Sequence, residues 1–227
     1  MNHKISISNQ LAIKVPKLTL SCIECNVEIQ TKNETLWSEI GQKIESISSS
    51  IKVEQISQIP AITASRKAYK SCGKDPLRYR LSADSLLRRV VKRNEIYQIN
   101  NVVDLLNLVS ISTGFSIGGY DSEKIKGDVV YGIGEPNEAY EGIGRGELNI
   151  EGMPVFRDSQ GAFGTPTSDS VRTSVSLETK RFLMIIIDYA ASQQLEEATN
   201  MVVNLLEKYA NATNIELNLI RTNEDNM

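Results

Sequence analysis

Between Gly161 and Thr173 the chain reads Gly-Ala-Phe-Gly-Thr-Pro-Thr-Ser-Asp-Ser-Val-Arg-Thr. Gly164, Thr165, Thr167, Ser168, Asp169, Ser170 and Arg172 bring hydroxyls, one carboxylate and one guanidinium into a single short run. Such a run offers hydrogen-bond donors and acceptors at close quarters. Asp169 suits an ammonium group, and Arg172 suits a carboxylate or phosphate. Hydroxyls and backbone amides can also align a water against an ester without a strong base. Composition alone favours a plainer reading, a surface loop whose Ser and Asp cap the next helix while Asp169 pairs with Arg172. The surroundings shift the balance toward a site.

Residues 71–93 are the most basic stretch. Lys74, Arg78, Arg80, Arg88, Arg89, Lys92 and Arg93 stand against Asp75 and Asp84, a local charge of +5 in a chain of net charge −3. Basic side chains at a helix C-terminus suit the dipole and need no ligand. The same charges can contact phosphates, so Arg78, Arg80, Arg88, Arg89 and Lys92 are candidates for nucleic-acid binding. A net acidic chain must do this through a local patch. Asn100 and Asn101 open a helix whose first turn carries Asp104, an end that can also take an anion.

Several chemistries lack their parts. The one histidine, His3, lies in a terminus expected to fray, so imidazole-based acid–base catalysis and a nucleophilic triad are not expected. Cys22 and Cys25 are spaced as a pair, but three cysteines are too few for a zinc site or a disulfide framework. In a strand, residues three apart face opposite ways, so we read both as structural. Gly142, Gly144 and Gly146 lack the Gly-Lys-Ser/Thr ending of a phosphate loop. No metal and no cofactor are expected. No run approaches the ~20 apolar residues of a membrane helix. The N-terminus has no signal-peptide core, and the odd cysteine count fits a cytoplasmic protein.

The elements around these residues follow from periodicity. Residues 11–30 alternate as strands. Leu36, Trp37, Ile40, Ile44 and Ile47 mark a helix opened by Asn33 or Thr35 and stopped at Ser48–Ser50. Helices are expected near Pro60–Tyr69, from a Ser82 cap, and from Asn100–Asn101 through Ile111. Twelve of the 14 glycines lie between Gly114 and Gly164, where Val129–Tyr131, Glu147–Ile150 and Pro154–Phe156 read as short strands. Ser176 caps a helical turn over Leu177–Arg181. Phe182–Tyr189 is a strand apolar on both faces, followed by a helix from about Ser192 to Asn211 and a strand over Asn214–Ile220. The pattern implies one α+β domain with helices packed on a mixed or antiparallel sheet. Residues 1–59 belong to that domain, 60–220 form its core, and 221–227 are a loose tail.

Four segments in order carry a resemblance: Asp75–Arg89, Ile99–Ser110, Gly114–Asp121 and Ser168–Thr173. Together, over roughly residues 60–220, they resemble the B3/B4 domain of the phenylalanyl-tRNA synthetase β subunit, which also occurs as free-standing proteins. The resemblance implies a B3/B4-like fold, a tRNA or aminoacyl-tRNA partner, and hydrolysis of a mischarged ester, without synthetase activity, DNA or membrane. Asn101, Asp104 and Asn107 match the family's Val-Asp-x-x-Asn segment, and Gly164–Ser170 takes the place of its Gly-rich pocket loop. Gly118 and Gly119 fall where the synthetase has His-Ala, and Met184–Ile186 falls where it has the glutamate that reads a tyrosine hydroxyl. The implied function is recognition of an aminoacyl group on tRNA with ester hydrolysis. The alternatives are a non-catalytic binder of tRNA or an amino-acid-like ligand, and an interaction module with a vestigial pocket.

Overall fold

The structure is a computed structural model that describes residues 1–222. In chain order the elements are β1 (Ile5–Ile7), α1 (Asn9–Lys14), β2 (Thr19–Asn26), α2 (Glu34–Ser50), α3 (Pro60–Ser71), α4 (Ser82–Val91), α5 (Asn101–Thr113), β3 (Ser116–Asp121), β4 (Val129–Ile133), β5 (Glu141–Gly142), β6 (Gly146–Glu147), β7 (Pro154–Asp158), β8 (Gly161–Gly164), β9 (Arg181–Asp188), α6 (Gln194–Ala210) and β10 (Thr213–Arg221). One sheet has the order β10-β2-β9-β3 and is antiparallel throughout. The other runs β1-β4-β7-β8, with the β1–β4 pair parallel. The α+β class read from the sequence is the observed one.

β9 explains the layering. Its residues Phe182, Met184 and Ile186 face a core shared with α5 and α6. Leu183, Ile185 and Ile187 face a second core, shared with Tyr131, Phe156 and Phe163 of the other sheet. A strand sandwiched on both faces must be apolar on both, so the unbroken run Phe182–Ile187 is the requirement of a middle layer. β2 lies beside it with Cys22 opposite Ile185 and Cys25 opposite Phe182. Cys22 faces the sheet-side core and Cys25 the helix-side core, so the two thiols point away from each other. Burial pushes both up to about 12, which makes them inert packing groups. A third cluster joins α2, α3, α4 and α5 through Ile47, Ile62, Leu87, Val90 and Ile111.

Local departures from the expected elements have local causes. Residues 9–14 form a helix because the Ser8 hydroxyl accepts from the Leu11 N–H at 3.3 Å and caps it. Ser48–Ser50 continue α2, their hydroxyls donating back to the Glu45 and Ser46 carbonyls. The N-cap of α4 is Leu81, one residue before Ser82. In place of a helical turn over Leu177–Arg181, Leu177 and Glu178 form a turn leading into β9, held where the Ser176 N–H donates to the Thr179 hydroxyl at 3.0 Å. The strand expected over Glu147–Ile150 shrinks to β6. The N-terminus does not fray: Asn2 N–H donates to Glu24 at 2.7 Å, and the Met1 ammonium meets Glu216. Arg221 of the expected tail ends β10, and residues 223–227 lie outside the described residues. No helix among the described residues is long and apolar enough to cross a membrane.

Candidate functional site

The loop after β8 is folded back on itself by one side chain. Thr165 Oγ1 accepts from the N–H groups of Thr167 and Ser168, at 3.2 and 3.0 Å, and donates to the Ser168 carbonyl at 2.9 Å. That turn returns the chain so that Asp169 bridges back to Gly164. The loop is then clamped from outside. The Tyr140 hydroxyl donates to the Ser168 carbonyl at 2.6 Å. The Tyr69 hydroxyl meets Thr167 Oγ1 at 3.0 Å. The Ile143 N–H donates to the Asp169 carbonyl at 2.9 Å. Ser170 is buried, and its hydroxyl accepts from the Arg172 N–H at 3.2 Å, capping a short turn over Val171–Thr173.

β3 supplies the other wall. Tyr120 stands edge-on to Phe163, with ring centroids 5.0 Å apart, and sends its hydroxyl into the gap between Gly118 and Gly164. A Cβ at Gly118 would fall 2.1 Å from that oxygen, and one at Gly164 2.2 Å from it. Both positions must therefore be glycine for the hydroxyl to lie there. The hydroxyl donates to Asp169 Oδ1 at 3.0 Å. Gly119 turns toward the helix-side core, where an added Cβ would meet Leu106 at 2.7 Å, while its backbone N–H points to the Asp169 carboxylate.

Asp169 is the chemically distinctive group. It keeps some solvent access, yet enough protein surrounds the carboxylate that burial raises it from 3.8 to about 7, against the pull of the Tyr120 and Gly119 hydrogen bonds. Among the described residues no cation pairs with it. Arg172, expected beside it, instead makes a bidentate pair with Asp158 at 3.0 and 2.9 Å, donates to the Gly161 carbonyl and lies over the Phe163 ring. The Asp169–Arg172 pair does not form because β7 and β8 present Asp158 directly to the guanidinium. Beside the loop opens a cleft of about 1030 Å³ lined by Tyr140, Ser170, Arg172 and the acidic Glu138, Glu141 and Glu147. Between Thr165 and Ser170, Ser168 has the least committed hydroxyl, with one long contact of 3.5 Å to the Asp169 carbonyl.

Asn101 is placed elsewhere. Fully buried, it accepts from the Gln30 N–H at 2.9 Å and donates to the Glu28 and Tyr209 carbonyls, both at 2.8 Å. All of this ties the start of α5 to the ends of β2 and α6. The one histidine is also remote in role, its ring nitrogens 2.9 Å from the Gly127 and Ser122 carbonyls.

The basic segment divides in two. Arg88 and Arg66 converge on the buried Asp84 at 2.8 and 2.5 Å. Arg89 donates to the Glu95 carbonyl and stacks on Tyr97. Arg78, Arg80 and Lys92 remain exposed, with Lys74 and Arg78 flanking the Tyr79 ring at 5.1 and 5.5 Å. This segment touches the loop directly: the Ser82 N–H donates to the Pro166 carbonyl at 2.8 Å. Tyr69, Tyr120 and Tyr140, which clamp the loop and Asp169, are not among the residues expected from the sequence. Tyr120 had one legible signal, its position just after Gly118-Gly119.

A family model described as the B3/4 domain matches residues 64–211, well over half of the chain. No curated protein matches. Among solved structures the chain is similar to a crystal structure of an N-terminal fragment of the phenylalanyl-tRNA synthetase β subunit from Pyrococcus horikoshii, at 15% identity and a TM-score of 0.48. That match covers 97% of this chain and 51% of the fragment, so the chain spans about half the length of that relative. The matched residues take in the basic segment, β3, the glycine-rich strands and the clamped loop, and the chain belongs to the B3/4 domain family.

Proposed function

We propose that this protein recognises the aminoacyl group of a charged tRNA in the cytoplasm and hydrolyses its ester. The observation that carries this reading is the Ser82–Pro166 hydrogen bond, which ties the basic segment to the loop that bears Asp169. In this reading the exposed arginines of that segment are the phosphate contacts and Asp169 is the ammonium site. Asp169, buried without a cation, is suited to the α-ammonium of the aminoacyl group, whose charge would replace the missing counter-ion. Gly118 and Gly164 make room for the Tyr120 hydroxyl that holds Asp169, Gly119 gives its N–H to that carboxylate, Thr165 and Thr167 hold the loop, and the Ser168 hydroxyl positions a water toward the ester. Ser170 and Arg172 fix the loop's exit, and Asn101 acts through the fold. Arg78, Arg80 and Lys92 take phosphates, with Arg88 and Arg89 beneath them.

A second reading, binding without turnover, is favoured by the placement of His3, whose two ring nitrogens are both held against backbone carbonyls. Deacylation measured across a full set of mischarged tRNAs, beside a gel-shift titration in salt, separates the two. Hydrolysis that disappears in the Ser168→Ala/Asp169→Asn double variant, with the fold unchanged by circular dichroism, supports the first. Salt-sensitive binding without hydrolysis supports the second. Neither activity in the wild-type protein would remove both.

A further inference from the structure

β10 ends the β10-β2-β9-β3 sheet, and its free edge has a definite polarity. From Glu216 to Arg221 it pairs regularly with β2, Glu216 opposite Glu24 and Arg221 opposite Thr19. The register continues to Thr222, whose N–H donates to the Leu18 carbonyl at 3.2 Å. Opposed residues of an antiparallel pair alternate between exchanging both backbone bonds and exchanging none. Asn218, Ile220 and Thr222 therefore turn their backbone groups toward β2, and Leu217, Leu219 and Arg221 turn theirs outward. Among the described residues no backbone hydrogen bond reaches these outward groups.

The side chains tell the same way. Leu217 and Leu219 are 56% and 44% exposed, although they lie on the face that carries α6: Leu219 is opposite Ser21, which bonds Thr199 of that helix at 2.7 Å. The strand, Thr-Asn-Ile-Glu-Leu-Asn-Leu-Ile-Arg, has no proline or lysine to block pairing, and its irregularity is confined to the Thr213–Glu216 end.

We propose that two copies of this chain associate through β10, antiparallel, about a two-fold axis at Asn218. The occupant is a second copy because residues 216–220 complement themselves. Leu217 falls opposite Leu219 of the second copy, twice over, with their outward backbone groups bonded. Asn218 falls opposite Asn218, amide to amide. Glu216, the one charged residue of the segment, falls opposite Ile220, so the two carboxylates are kept apart. Each Glu216 is already neutralised by Arg181 at 2.5 Å and by the Met1 ammonium. The contact is isologous and closes on itself, leaving no β10 edge for a third copy.

The axis makes a sharp test. Asn218 would sit in a pair without mutual backbone bonds, Cα atoms ~4.5 Å apart, which is within disulfide reach. The native cysteines are all buried and leave little background. The wild-type chain should sediment at twice the monomer mass as concentration rises. Asn218→Cys should form a reductant-sensitive covalent dimer under mild oxidation. Leu217→Lys with Leu219→Lys should be monomeric at every concentration with an unchanged circular dichroism spectrum. A wild type that stays monomeric throughout the series overturns the proposal. So does a dimer that survives the double lysine variant, or one in which Asn218→Cys fails to cross-link.

Discussion

Replacing Asp169 with asparagine is expected to make the protein more stable while removing its ammonium site. The carboxyl stands at about 7 in the fold and 3.8 in an unperturbed chain. At ~1.4 kcal/mol per tenfold, ionised Asp169 costs the fold up to about 4 kcal/mol. The sign follows from which state holds the proton. Between 3.8 and about 7 the folded chain keeps a proton that the unfolded chain has released, so wild-type stability falls as pH rises through that window and levels off above it. Asparagine keeps an oxygen for the Tyr120 hydroxyl and has nothing to ionise. Its amide facing the Gly119 N–H offsets part of the gain, leaving about 2–4 kcal/mol above pH 7, or on the order of 10 °C in Tm for a chain of this size. Thermal unfolding of both proteins from about pH 4.5 to about pH 8.5 reads the difference. It should be smallest at the acid end and widen toward pH 7. An offset that is constant with pH, or an asparagine variant less stable than wild type above pH 7, would refute the reasoning about Asp169.

Tyr120→Phe removes the donor to Asp169, so the carboxyl should rise further and the midpoint of pH-dependent ligand binding should move above about 7, with a stability loss of ~1–3 kcal/mol in denaturant titrations. Gly164→Ala places a methyl 2.2 Å from the Tyr120 oxygen and should cost ~1–3 kcal/mol or more. Tyr120→Leu in the same chain should recover part of that loss, a coupling that a double-mutant cycle measures directly. Arg78→Ala and Arg80→Ala should each lower the salt dependence of tRNA binding by about one counter-ion. Arg88→Ala should leave that slope alone and destabilise the fold, because its guanidinium is committed to buried Asp84.

The legible parts of this chain are those where periodicity and burial coincide. The run Phe182–Ile187 announces a middle strand because every position is apolar, and Asn33 announces α2 because its side chain accepts from the Leu36 N–H at 3.0 Å. β3 is hidden because Gly118 and Gly119 interrupt its alternation, and those glycines exist for contacts with Tyr120 and Leu106 that only the folded chain reveals. α1 is hidden because six residues are too few for a helical period to show. At the site, hydroxyl density marks the loop, whereas the partner of Arg172 depends on how β7 and β8 pair, which puts Asp158 rather than Asp169 within reach. Asn101 resembles a pocket residue in sequence, and three carbonyl and amide contacts make it a structural tie.

The tyrosine clamps and the raised carboxyl belong to one design. A loop free to move would swing Asp169 into water and return it to its ordinary range. Tyr140, Tyr69, Ile143 and Ser82 each hold a different point of the loop, so relief by local movement would break several hydrogen bonds at once. Each such bond is worth ~1 kcal/mol net and more when its loss leaves a buried group unpaired. Their sum is comparable with the desolvation cost at Asp169, which is why the fold can keep the carboxylate where no cation meets it. A group held in that condition gains most from an arriving ammonium, and binding strength is then drawn from a penalty already built into the empty site. If so, loosening a clamp, as in Tyr140→Phe, should cost the ligand-free protein less stability than it costs the ligand-bound protein. The difference between the two changes, read by thermal unfolding with and without an aminoacyl analogue, measures how much of the recognition is preorganised.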